Sequence, residues 1–165
     1  MPMSTVHREL PVPDAVRGLG AMTDPDYLDV FTLTTGDAAD WTPEQWARAM
    51  FDDVAGWQGQ VLFRVLLGLR LARRRSPEHV AGWRIDERGA DSVRLAAKSW
   101  FLTARLVVRV TDGRVSLATF MHYDRALAAR IWGPTSARHR AAAPGLLREA
   151  HDVLVRSRRG DQSSR

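Results

Sequence analysis

The chain has 165 residues, no cysteine, and 24 basic against 19 acidic side chains for a formal net charge of +5. That length suits one domain able to bury a core without disulfide or metal staples, and the missing cysteine excludes a thiolate nucleophile and cysteine-ligated zinc while fitting a reducing, cytoplasmic setting. The longest apolar stretch, residues 61–72, is interrupted by Arg64, Gly68 and Arg70 and falls well short of the roughly 20 residues a membrane span needs.

Residues 1–26 read as an N-terminal arm: Pro2, Pro11 and Pro13 punctuate its start, and no apolar core of a secretory signal is present. Residues 27–33 then mix aromatic and β-branched side chains in partial alternation before the breaker Gly36-Asp37, which predicts a first strand. Thr42, Pro43 and Gln45 supply an N-cap, a first-turn proline and the N3 partner of a capping box. A helix is expected from there to about residues 52–55.

Leu62, Val65, Leu66 and Leu69 recur at three- and four-residue spacing, which predicts a second helix over residues 58–73. Arg73, Arg74 and Arg75, followed by Ser76-Pro77, fit its C-terminus, where cations face the negative end of the helix dipole. From residue 82 to 124 the pattern becomes a meander of four extended segments, 83–87, 92–98, 102–111 and 114–123.

Asp112-Gly113 is a type I′ hairpin signal that pairs Thr111 with Arg114. In that register Val110 meets Val115, Val108 meets Leu117, Leu106 meets Thr119 and Ala104 meets Met121, an almost wholly apolar face. The opposite face is mixed and includes Arg105 beside Phe120. A one-sided antiparallel sheet needs a helical cover, and residues 136–156 supply it, with Leu147, Ala150 and Leu154 on one face. A short helix over 125–132 is expected to stop at Gly133-Pro134, Pro144-Gly145 to kink or restart the cover helix, and the polar tail 158–165 to be disordered. Residues 27–157 form the domain.

The order of strand, two helices, antiparallel meander and long helix resembles the α+β helix-grip fold of START-like, polyketide-cyclase-like (SRPBCC) proteins. More narrowly, Arg64, Gly82-Trp83, the strand holding Arg105, and the run from Ala129 through Trp132 to Arg138-His139-Arg140 look like a bacterial family known as domain of unknown function 2867, whose members sometimes follow a short-chain-dehydrogenase-like domain. In that family a proline sits close before the histidine of the last helix; here Pro134 stands five residues before His139. The resemblance implies a fold and a ligand cavity but no chemistry.

Several side chains are candidates for a site. His139 on the cover helix is placed to orient a polar ligand group or move a proton, and is otherwise a partly buried histidine bonded to backbone. Trp83, Trp100 and Trp132 are candidates for a pocket rim, whereas Trp46 and Trp57 are expected in the core. Arg64, set among apolar neighbours, should reach solvent, pair with Asp52 or Asp53, or hold an anionic ligand. Arg105 is a further polar anchor.

His122 and Asp124 have the spacing of converging strand ligands but lack a third partner, and His139 and His151 point about 120° apart on one helix, so no metal is assigned. No Walker loop, dinucleotide turn, nucleophile elbow or zinc-protease helix is present, so no cofactor or catalytic motif is assigned, and Arg159-Gly160-Asp161 is read as chance. Two functions follow. The first is binding of a small hydrophobic or amphipathic molecule in a cavity, through Arg64, Trp83, Arg105, Trp132 and His139. The second is a basic surface for nucleic acid or an acidic protein, built from Arg73–75, Arg105, Arg109 and the basic tail; its arginines are dispersed and no aromatic residues interleave them. Arginine enrichment itself, with Lys98 the only lysine, fits either phosphate recognition or coding bias.

Overall fold

In the computed structural model, which describes residues 4–165, the elements run β1 (Thr5–Arg8), α1 (Asp14–Leu19), β2 (Tyr27–Thr34), α2 (Pro43–Arg48), α3 (Gly56–Val61), β3 (His79–Val80), β4 (Trp83–Arg88), β5 (Ser92–Lys98), β6 (Leu102–Thr111), β7 (Arg114–Tyr123) and α4 (Ala126–Ser163). The strands form one antiparallel sheet in the order β1-β2-β7-β6-β5-β4-β3. With the long C-terminal helix this is an α+β domain.

Gly113, at φ 75°, makes the predicted turn, and β6 pairs with β7 in the predicted register from Thr111↔Arg114 to Ala104↔Met121. Because β2 pairs with the other edge of β7, one row of inward side chains crosses five strands: Asp29, Thr119, Leu106, Leu95 and Ile85. The polar pair closes the β2 end of an otherwise apolar row. This face belongs to the main core together with α2 and α4.

The mixed face is covered as well. Val30, Val107, Ala118 and Phe120 bury against Val16 of α1, so the segment read as an arm contributes an edge strand and a cover helix; only its first three residues lie outside the described ones. Arg105 ties this layer down by donating from one terminal nitrogen to the carbonyls of Gly20 and Ala21. Gly20 lies against the Phe120 ring so closely that a Cβ there would overlap it.

The capping box forms as predicted, with Gln45 N–H donating to Thr42 Oγ1 at 3.1 Å and Thr42 N–H to Gln45 Oε1 at 2.8 Å. The helical path continues through a π-helical segment, Ala49–Val54, and so ends within the expected range. The second helix is shorter than its spacing predicts. It passes through α3 into a second π-helical segment, Leu62–Leu66, and stops before Gly68, whose φ of +61° breaks it.

Leu67, Leu69 and Leu71 are buried while Arg70 is exposed, the period-2 pattern of an extended segment. Arg70 N–H donates to the Lys98 carbonyl and Ala72 N–H to that of Gly82. Arg73, Arg74 and Arg75 therefore follow an extended segment, not a helix terminus. Trp57, expected in the core, is 74% exposed on α3.

The largest correction concerns α4, a single helix of 38 residues that contains Pro134 and Pro144 and takes in most of the tail read as disordered. Each interior proline removes a hydrogen bond and costs about 3 kcal/mol. Burial on both sides offsets that cost: Ala128 and Trp132 lie before Pro134, and Ala143, Leu147 and Ala150 flank Pro144 on the same stripe. Around Pro134 the hydroxyls of Thr135 and Ser136 donate to the carbonyls of Ile131 and Gly133. Further along, His151 Nε2 bonds Asp37 and its ring stacks on Trp46, while Arg158 pairs with Asp40 at 2.6 Å and sits 4.7 Å over the Trp41 ring. Packing thus carries the helix through Gly133-Pro134, read as a stop, and through Pro144-Gly145, read as a kink or restart.

Candidate functional site

A cavity of about 870 Å³ lies between the sheet and α4, roofed by the segment around α3. Leu106, Leu117 and Met121 supply its sheet wall, Phe51, Leu62 and Phe63 its roof, and Trp132, His139 and Leu146 its helical wall. The volume is within the range of small-molecule sites. Trp83, Trp132 and His139, three of the sequence candidates, line it.

The other two do not. Arg105 lies on the opposite face of the sheet, because odd-numbered β6 residues pair with Phe120, Ala118 and Ser116, away from the main core. Arg64 donates from Nε to Gln60 Oε1 at 2.7 Å and from its terminal nitrogens to the carbonyls of Leu71 and Ala72 at 3.1 and 2.8 Å. Backbone carbonyls, rather than Asp52 or Asp53, satisfy its charge. Trp100, the remaining rim candidate, is 62% exposed at the β5–β6 turn.

At its polar end, His139 Nε2 stands 3.2 Å from Asp29 Oδ2 and 3.2 Å from Thr119 Oγ1. The Asp29 side chain is wholly buried, and the Tyr27 hydroxyl donates a hydrogen bond to the same carboxylate oxygen. Arg140 reaches the Tyr27 oxygen at 3.4 Å and Ser136 Oγ at 3.0 Å, and Trp132 packs edge-on to Tyr27 and tilted against His139. Alternation on β2 places Tyr27, Asp29, Phe31 and Leu33 on one face, and the β2–β7 register sets Asp29 opposite Thr119.

Burial, then the hydrogen bond to Asp29 and its negative charge, push the Tyr27 phenol well above its usual range, with Arg140 opposing. The phenol stays a donor. A carboxylate can only accept, so beside a carboxylate form of Asp29 the imidazole proton sits on Nε2; Nδ1 makes no hydrogen bond among the described residues. A carboxylate that fixes the tautomer and steadies the imidazolium is the arrangement of a general base or of an oriented ligand contact. Asp29 Oδ1 and the indole nitrogens of Trp83 and Trp132 are also buried without a hydrogen-bond partner.

Asp29, Tyr27 and Thr119 were absent from the sequence candidates. Their signal was the single acid in the apolar parity of strand Tyr27–Thr34. His122 lies elsewhere, with Asp26 at 3.4 Å from Nδ1 and Asp124 at 3.6 Å from Nε2, and among the described residues no group of three or more His, Asp or Glu side chains is placed to hold a metal ion. No helix among them is long and apolar enough to cross a membrane.

No protein-family model matches the chain, and no curated protein is detectably similar to it. Among solved structures, a protein of unknown function from Pseudomonas aeruginosa is similar over 84% of this chain and 81% of its own length, at 13% identity and a TM-score of 0.26. A likeness at that level carries no argument about fold or function.

Proposed function

We propose that the protein binds a small hydrophobic or amphipathic molecule between the sheet and α4, in a helix-grip arrangement, with the apolar body against Leu106, Leu117 and Met121 and a polar group at His139. One observation carries the reading: an 870 Å³ space with apolar walls ends on a histidine whose Nε2 is committed to a buried carboxylate, leaving Nδ1 for a ligand. A neutral imidazole there accepts from a ligand hydroxyl, and a protonated one donates to a carbonyl or carboxylate. Comparing native with denaturing mass spectrometry on freshly purified protein tests this. A displaced small molecule is expected; a clean apo mass, with no saturable uptake of anilinonaphthalene sulfonate, would overturn it.

The Asp29–His139 pair favours a second reading, in which the same cavity performs proton transfer with His139 as base and Asp29 as its positioning residue. Base-promoted opening of nitrobenzisoxazole is a suitable probe, because it needs only a base in an apolar site: the ring C–H proton passes to Nδ1, the N–O bond breaks, and a cyanonitrophenolate leaves. A rate above that of free imidazole that disappears in His139→Gln is expected. An unchanged rate in that variant refutes it.

A further inference from the structure

A second pocket, about 280 Å³, lies on the other side of α3, and its wall carries Arg48, Arg64, Arg73, Arg74, Arg75 and His79 against one acid, Asp52. The acid is already engaged: Asp52 Oδ1 accepts from Ala81 N–H at 2.8 Å, and Oδ2 faces Arg48 at 3.6 Å. Glu44 and Glu78, the nearby carboxylates, are held by Arg48 and Arg88. Arg73, Arg74 and Arg75 are exposed, and their guanidinium groups make no ion pair or hydrogen bond among the described residues.

A helix C-terminus would account for this run, but here no helix ends at it. The three arginines instead leave a fixed base. Arg64 holds the Leu71 and Ala72 carbonyls, Ala72 N–H donates to Gly82 O at 2.9 Å, and Gly82, at φ +87°, approaches so closely that a Cβ would stand 2.7 Å from Ala72 O. Three adjacent guanidinium groups without a carboxylate partner leave their positive charge open to an anion, and guanidinium forks match phosphate oxygens in pairs. The concave shape and small volume fit a compact anion better than a nucleic-acid backbone, which needs an extended basic track.

We infer that this pocket binds the phosphate or diphosphate group of a small molecule through Arg73, Arg74 and Arg75, with Arg64 and Gly82 fixing the segment that presents them. The site is separate from the cavity under α4, and the inference stands without a ligand there.

Titration calorimetry of the full chain with inorganic pyrophosphate and with ADP, at low and high sodium chloride, tests it. The comparison sets Arg74→Ala/Arg75→Ala against Arg156→Ala/Arg159→Ala, which removes the same charge from exposed positions on α4. One-to-one pyrophosphate binding weakened at least tenfold by the first pair and less than twofold by the second is expected. Tighter binding of ADP assigns the source to a nucleotide, and equal or weaker binding to the bare anion. No binding, or equal weakening by both pairs, would overturn the inference.

Discussion

Leu117 and Leu95 are both buried on the inner face of the sheet, at 1% and 0% exposure, but only Leu117 borders the large cavity. Replacing each with phenylalanine separates open space from packed core. Adding bulk to a filled core forces neighbours off their rotamers at a cost of about 1–3 kcal/mol, and Leu95 should pay it. A ring at position 117 has an 870 Å³ space to enter, so its cost should stay within about 0.5 kcal/mol, the range of neutral substitutions. For a chain of this size each kcal/mol moves the midpoint by about 2–4 °C, so the two variants should differ by several degrees. Urea unfolding monitored by circular dichroism measures both, with equal m-values required for the comparison. Equal destabilisation would mean that side-chain motion fills the cavity and that no ligand space exists.

Leu147→Ala, which removes a fully buried side chain just after Pro144, should destabilise by about 2–5 kcal/mol; a loss below about 0.5 kcal/mol would show that α4 is not docked beyond the proline. Gly82→Ala places a Cβ 2.7 Å from Ala72 O at a φ of +87° and should cost more than about 1 kcal/mol, read as a lower thermal midpoint. The Asp37 carboxyl is pushed up by burial but held below its ordinary 3.8 by the hydrogen bonds from Thr35 and His151, which win. A depressed folded value contributes stability that is present above the unfolded value and lost as pH falls through the folded one. Asp37→Asn should therefore flatten the acid limb of the stability profile below about pH 4 while also lowering stability near neutrality; an unchanged acid limb refutes that assignment.

Where the sequence and the structure agree, local chemistry left few alternatives. Asp112-Gly113 specifies a two-residue turn, and a one-residue slip of either strand would have taken its core-facing side chains off the face that α4 covers; Thr42 and Gln45 satisfy one another across three residues. Where they differ, a distant contact decided. Leu62, Leu66 and Leu69 fit a helical stripe, and Leu67, Leu69 and Leu71 fit an extended one equally well. Sequence spacing could not choose between them, but Gly68 and the pairing of Arg70 with Lys98 did. Pro134 is a sound stop signal and Pro144 a sound kink signal in isolation, and the helix runs through both because Trp132 and Leu147 bury in a core that sequence reading could only assume.

The same distinction governs the candidate site. His139, Trp83 and Trp132 were legible because each is a large polar-tipped side chain on an element predicted to face the interior. Arg105 carries the same kind of chemistry, but its parity on β6 sends it to the other face, and the predicted register already contained that fact by pairing it with Phe120. Asp29 was legible by the converse argument. An acid between Tyr27 and Phe31, in the parity that ends at Leu33, cannot reach water once β7 pairs with its strand, and a carboxylate so placed requires donors. The structure supplies Tyr27 and His139. Side-chain type therefore nominates a residue, strand parity decides which face receives it, and a polar group left in an apolar parity marks where the fold accepts a cost that packing alone would not select.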